Sequence, residues 1–319
     1  MNAFERHILD TIDKYSMIKE GQTVVAAVSG GYDSLCMLYA LCNLRRLRGF
    51  DVCVAHVNHK LRQEADSDEE YVVSVAEKLG VDVYTKKFDV DKYSKENKIS
   101  FETAGRILRY SFFNEVCAKY DNTVIATAHN ANDSVESMLM HLMRGSGLTG
   151  LIGIRPKADN LIRPLIEAQR IDIEKYCDEN NIVPRHDCTN DSDDYHRNDI
   201  RHNIMAPMLE RCNILSICRM MNVLSEDDAF IRNYTLEIKD KYIIEKDGHY
   251  VIKVKDFNLL PLSIRRRLLK LVIQDTPENQ LCLVHIDDII GMAEKNYGGK
   301  RVILPGKKEV LLEKGEIIL

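Results

Sequence analysis

Short apolar runs alternate with longer amphipathic stretches through the first half of the chain. Four runs (23–29, 52–58, 82–88 and 123–128) are β-branched and almost continuously apolar, which predicts strands covered on both faces. Residues 33–47, 66–79, 101–119 and 133–143 carry helical spacing instead. This βαβα order predicts a doubly wound, mostly parallel sheet, whose ligands lie at the carboxyl ends of the strands. Upstream, Phe4, Ile8 and Ile12 form one stripe of a mixed polar helix. A glycine loop with a short strand (144–165) and a helix (169–181) follow. Next come a polar segment (187–201) too rich in Asn and Asp to be regular, then a helix over 203–234. From about Lys241 the pattern changes. Residues 242–254 alternate around Asp247-Gly248, a hairpin signal. Two helices (263–274 and 283–296) and a β-pair (301–304 with 309–319, turning at Pro305-Gly306) complete the chain. The expected fold class is α/β with a smaller α+β C-terminal domain, divided as 1–215 and 216–319.

Composition narrows the function classes. A length of 319 residues fits about two domains, and 45% hydrophobic with 29% charged residues fits a globular enzyme. No apolar run approaches the roughly 20 residues that span a bilayer, and the first twenty residues lack a signal-peptide core, so a cytoplasmic location is expected. The nine cysteines are scattered and include no C-x-x-C, which leaves structural zinc, iron–sulfur and dithiol redox chemistry without a motif. At a net charge of -5, a nucleic-acid partner must be held by local basic patches.

Ser29, Gly30, Gly31, Tyr32, Asp33 and Ser34 stand between the first strand and an apolar helix. Strand, glycine turn and helix start make a phosphate cradle of main-chain N–H groups, with two hydroxyls added. Its lack of lysine separates it from the G-x-x-x-x-G-K-[ST] loop; an ordinary turn is the simpler alternative. Asp33 either holds Mg²⁺ between phosphates or caps the helix. Asp133 and Glu136, at i and i+3, would bind metal, orient an amine or take a proton, or else form a solvated face. Glu102, Arg106, Arg109 and Tyr110 follow helical spacing, with Glu102–Arg106 also readable as a surface pair. His56, His59 and His129 fall at strand ends, as site or core histidines. Arg197-Asn198 with Arg201 and His202, and Arg265-Arg266-Arg267 with Lys270, Lys300, Arg301, Lys307 and Lys308, are either phosphate-binding or simply solvated.

The 29–34 loop resembles the PP-loop of the N-type ATP pyrophosphatases. The wider series resembles the tRNA(Ile)-lysidine synthases: His-Val-Asn-His-Lys-Leu-Arg (56–62), Glu102 with Arg106, Arg109 and Tyr110, Thr-Ala-His (127–129), Asp133 and Glu136. It continues through Arg-Gly-Ser-Gly-Leu-Thr-Gly-Leu (144–151), Arg-Pro-Leu (163–165), Asp187, Thr189-Asn190, Arg197-Asn198, Arg201 and Pro207. The likeness is strong over about 20–210, weak beyond, and of a short form. Departures are Asn130 for a frequent His, Asn132 for Asp, Gly105 for Ala and Ser137 for Thr. The resemblance implies an adenine nucleotide α-hydrolase-like fold and an ATP- and Mg²⁺-dependent ligation. In it, lysine joins the wobble cytidine of a tRNA(Ile) with a CAU anticodon through an adenylated base, releasing AMP and pyrophosphate. It further implies ATP binding by 29–34, His56 and His129, and catalysis by Asp33, Asp133, Glu136 and Arg106. Arg197, Asn198, Arg201 and Arg265–Arg267 would bind tRNA. The oligomeric state is open, a homodimer included. Rival readings are a PP-loop tRNA thiolase, an amidating adenylate-forming enzyme, and a non-catalytic nucleotide-binding regulator.

Overall fold

The computed structural model describes residues 1–58, 65–185, 198–273, 281–295 and 298–319. Of the sequence-predicted residues, His59, Lys60, Leu61, Arg62, Asp187, Thr189, Asn190 and Arg197 lie outside these. The chain divides into two compact units, Met1–Asn222 and Val223–Leu319.

In the first unit the order is α1 (Ala3–Lys14), β1 (Thr23–Ala27), α2 (Tyr32–Arg48), β2 (Asp51–Asn58), α3 (Ala65–Leu79) and β3 (Asp82–Lys87). α4 (Val90–Asn97), α5 (Phe101–Cys117), β4 (Thr123–Ala126), α6 (Ala131–Met143) and α7 (Leu148–Leu151) follow. β5 (Lys157–Ala158), β6 (Leu161–Ile162) and α8 (Arg170–Glu179) come next. The sheet runs β3-β2-β1-β4-β6-β5, parallel except for the β5–β6 hairpin. Continuous apolar strands fill two cores because side chains alternate across the pleat. Val24, Ala26, Val52, Val54, Val124 and Ala126 pack against α1, α2, α3 and α8. Val25, Cys53, Ala55 and Ile125 meet Phe112, Phe113 and Val116 of α5 on the other face. The carboxyl ends of β1, β2 and β4 therefore open on one edge.

Three details differ from the sequence reading. α4 is an additional helix, capped by the Asp89 carboxylate, which accepts from the Lys92 N–H. The helix expected over 203–234 is broken into a π-helical turn (Ile200–Met205), a short α9 (Ala206–Leu209) and a long α10 (Ile214–Tyr242). Asn213 explains the second break, because its side chain accepts from the Leu215 N–H at the start of α10. In the second unit, the strand expected over 309–319 folds back at Lys314-Gly315, where both residues have positive φ (48° and 77°).

That second unit holds the end of α10 and then β7 (Ile244–Lys246), β8 (His249–Lys253), α11 (Val254–Asn258), α12 (Leu262–Ile273) and α13 (Leu283–Lys295). β9 (Lys300–Ile303), β10 (Glu309–Glu313) and β11 (Glu316–Ile318) close it. Its sheet, β7-β8-β11-β10-β9, is antiparallel and covers its own core of Phe257, Leu268, Ile289 and Ile317. No helix among the described residues is long and apolar enough to cross a membrane.

Candidate active site

A crevice of about 1320 Å³ lies along the carboxyl ends of the parallel strands, lined from residues of the first unit alone. The 29–34 loop forms its floor. Gly30 has φ +98°, a conformation L side chains rarely adopt. The Ser34 hydroxyl organises the turn, accepting from the Ser29 and Gly30 N–H groups (both 3.2 Å) and donating to the Gly31 carbonyl (3.0 Å). Gly31 is the N-cap of α2 and has no side chain to cap with, so first-turn N–H groups of α2 remain for an anion.

Because Gly31 takes the cap position, Asp33 is not the cap, and that alternative falls away. The Asp33 carboxylate instead accepts from the Asn130 side-chain amide at 2.8 Å. Burial pushes its pKa above the usual carboxylate value, while the Asn130 hydrogen bond and the Arg170 and Arg201 charges act the other way. Asn130 does a second job. Its side-chain oxygen accepts from the Asp133 N–H (3.1 Å) and its own N–H donates to the Asp133 carboxylate (3.0 Å), a capping box opening α6. The residue whose role the sequence left open thus ties the glycine loop to the acidic helix. Asn132 is placed just as definitely, its side chain accepting from the Arg170 N–H at the start of α8.

The two carboxylates of α6 sit in different surroundings. Asp133 lines the crevice. Glu136 is fully buried and carries a bidentate pair with Arg201, at 2.6 Å (Nε) and 3.2 Å (Nη2). Arg201, read from the sequence as a tRNA contact, is therefore turned inward, where it also comes within 4.0 Å of Asp133. Asn198 lines the crevice as well.

His56 is buried at the end of β2 and donates from Nδ1 to the Val28 carbonyl at 2.8 Å. A carbonyl only accepts, so the neutral ring has Nε2 as its acceptor. Burial holds the ring's pKa below the ordinary histidine value. His129 contacts the Thr127 hydroxyl at 3.1 Å. From α5, Glu102, Arg106, Arg109 and Tyr110 all reach the crevice, and the Arg106 guanidinium stacks 4.9 Å from the Tyr110 ring centre.

The basic run of α12 is not a bare cationic face. Arg265 pairs with Glu294, Arg266 with Asp287 and Arg267 with the buried Asp228, at 2.8, 2.9 and 2.9 Å. Sequence reasoning had no place for Arg170 and Arg185, both of which line the crevice. Asn130 was legible in principle, since Asn-x-x-Asp ahead of an apolar run is a helix-start pattern.

Comparison with known proteins adds three findings. A PP-loop domain model matches residues 1–208. The tRNA(Ile)-lysidine synthases of Clostridium acetobutylicum and Clostridium tetani are 40% and 38% identical to this chain. The alignments cover 98% and 97% of it, and 69% and 68% of those proteins. A solved U34-tRNA thiolase from Methanococcus maripaludis shares the fold at a TM-score of 0.58 and 19% identity, over 70% of this chain and 77% of that one. The crevice is thus that of a PP-loop protein, and the chain belongs to the tRNA(Ile)-lysidine synthase family.

Proposed function

We propose that this chain ligates lysine to the wobble cytidine of a tRNA(Ile) with a CAU anticodon, using ATP and releasing AMP and pyrophosphate. One observation carries the reading. In a chain 40% identical to a lysidine synthase, a lysine-free glycine loop, Asp33 and Asp133 share one crevice. ATP lies with its phosphates over the first turn of α2 and its base toward His56, whose Nε2 and whose strand end are available to it. The 2-oxo oxygen of the cytidine attacks the α-phosphorus, and the charge that builds on departing pyrophosphate meets main-chain N–H groups.

Mg²⁺ fits the donor set, since the half-buried Asp33 carboxylate stands in the anion-binding turn with one oxygen already held by Asn130. When bound, the ion supplies charge neutralisation to the triphosphate. The chain's own residues do the rest. Free lysine, with a pKa near 10.4, is neutral in only about one molecule in 2,500 at pH 7, a penalty of about 4.6 kcal/mol. Asp133 faces the crevice and is the group to hold the ε-ammonium and relieve it of its proton. Glu136, already matched by Arg201, supports that end of the site rather than receiving the amine. Arg106 is the cation for the lysine carboxylate or an ATP phosphate. Asn198, Arg197 and Arg265–Arg267 are the tRNA contacts, with the target base unstacked into the crevice.

The thiolase reading is the weaker one, because no cysteine lines the crevice among the described residues. The deciding experiment combines the purified chain with Mg-ATP, labelled lysine and an unmodified CAU-anticodon tRNA(Ile) transcript. Label is expected to enter the RNA with AMP and pyrophosphate in equal amounts. Transfer of sulfur or another amine in place of lysine would defeat the assignment.

A further inference from the structure

Arg185 enters none of the steps above, yet the chain fastens it by its own backbone to the glycine loop. Its N–H donates to the Gly30 carbonyl at 2.9 Å. The Tyr71 hydroxyl donates to the Val183 carbonyl, so the segment 183–185 is pinned at both ends across the turn. Pro184, between the pins, restricts the backbone further. A Cβ built on Gly30 would come within 3.9 Å of the Arg185 Cβ, so this strap runs in van der Waals contact with the loop. The guanidinium stacks 5.1 Å from the Tyr71 ring centre and touches the Ser67 hydroxyl at 3.5 Å. That places it on the rim between the glycine loop and the first turns of α3.

Charge gives the position its meaning. The loop contains no lysine and carries the negative Asp33. Of the other crevice arginines, Arg201 is paired with Glu136, Arg170 with Glu174 at 2.9 Å, and Arg106 and Arg109 stand on α5 rather than against the glycine loop. Arg185 has no carboxylate partner among the described residues, and its side chain is exposed. A planar guanidinium held over an anion-binding turn suits bidentate contact with phosphate oxygens.

We propose that Arg185 binds the pyrophosphate half of ATP and receives the charge that develops there. The assignment rests on the adenylating reading above. As the base oxygen bonds to the α-phosphorus, the bond from that phosphorus to the bridging oxygen breaks. Its electron pair stays on pyrophosphate, next to Arg185, doing for this loop what lysine does in lysine-bearing phosphate loops.

The test is calorimetric titration of Mg-pyrophosphate, and separately of AMP, into the full chain and its Arg185→Gln variant. The substitution leaves the backbone tether to Gly30 in place. Pyrophosphate affinity is expected to fall at least about tenfold, as for loss of a charge-assisted hydrogen bond, with AMP affinity unchanged. Equal pyrophosphate binding by wild type and variant overturns the proposal, as does parallel loss of both ligands, which would mark Arg185 as scaffold. A wild-type chain that binds no pyrophosphate sinks the adenylating reading too. A second measurement needs no variant: phenylglyoxal labelling of wild type, mapped by mass spectrometry. Mg-pyrophosphate should shield Arg185 and AMP should not; undiminished labelling counts against the assignment.

Discussion

At the scale of single residues, Asn130 shows how one short side chain can set two functional groups at once. It has only 1% of its surface exposed, and its amide reaches Asp33 while its oxygen caps α6. The two roles separate by mutation. Asn130→Ala should lose the cap, about 1 kcal/mol of stability, and also free Asp33. Asn130→Ser keeps a capping oxygen but cannot reach Asp33, so stability should stay near wild type while pyrophosphate release from ATP slows at least tenfold. Thermal melts beside a pyrophosphate assay check both; a Ser variant with wild-type turnover would show that the Asp33 link is dispensable. Asp33→Ala should abolish pyrophosphate release and leave the fold intact, measured the same way. The Glu136–Arg201 pair makes a different prediction. Removing Arg201 takes its bidentate partner from the enclosed Glu136 carboxylate, at a cost of about 3–5 kcal/mol. Arg201→Ala should therefore lower the denaturation midpoint well beyond the Asn130 variants. Sequence could flag Glu136 and Arg201 as chemically charged, but not that they neutralise each other, because the two stand 65 positions apart.

Elements were legible wherever a local pattern decided them. β1, β2 and β4 declared themselves because both faces are buried, so no polar alternation obscured them, whereas the edge strand β3 has no buried residue and was legible only through its β-branched and aromatic positions. The Asp247-Gly248 turn was equally plain, both residues having positive φ. What sequence could not rank were competing local signals. Asn213 outweighed continuous helical spacing, and Lys314-Gly315 cut one apparent strand into two. The glycine loop after α6 hides a steric demand of the same kind. At Gly153, φ is +65°, and a Cβ would sit 2.5 Å from the Ser134 hydroxyl and 2.8 Å from its carbonyl oxygen. Gly153→Ala should thus cost about 3 kcal/mol or more, since backbone at that distance has to move. A midpoint within a degree of wild type would contradict the packing described. α1 is fastened differently, by Lys14 and the Tyr15 hydroxyl on the Glu167 carboxylate, both at 2.6 Å. Burial opposes ionisation of Glu167, yet the hydrogen bonds from Lys14 and Tyr15 hold its pKa below the usual carboxylate value. Its contribution is therefore present above the unfolded pKa and disappears as pH falls through the lower folded one. On the alkaline side, burial and the Glu167 bond push the Tyr15 hydroxyl up to about 12, so that part is lost as pH rises toward this value. Glu167→Gln should be less stable than wild type at pH 7 by a few tenths to about 1 kcal/mol, allowing for the exposed Lys14. The gap should close as pH falls below the usual carboxylate range.

For the whole molecule, the question is whether nucleotide binding is felt beyond the unit that makes the crevice. All crevice residues lie between Ala27 and His202, while the second unit has a core of its own around Phe257, Leu268 and Ile289. The sequence announced the change of architecture near Lys241 through the switch to hairpin and helix signals. It put the division at 215/216, at the start of α10, while the compact units meet at Asn222 and Val223, within the same helix and without a linker. That continuous helix is the one argument for a single cooperative block. It is a weak one, since a helix draws most of its stability from what it packs on, and α10 packs on two cores. Met221 belongs to the cluster with Val135 and Ile200, and Ile238 to the cluster with Phe257 and Leu268. A non-hydrolysable ATP analogue at 100 times its Kd stabilises whatever unfolds with the crevice by about 2.7 kcal/mol. Amides of β1, β2 and β4 should then exchange roughly 100-fold more slowly, with those of β8, β10 and β11 unmoved. Equal slowing in both sheets would mean that α10 carries the coupling, and that the second unit reports on nucleotide without touching it.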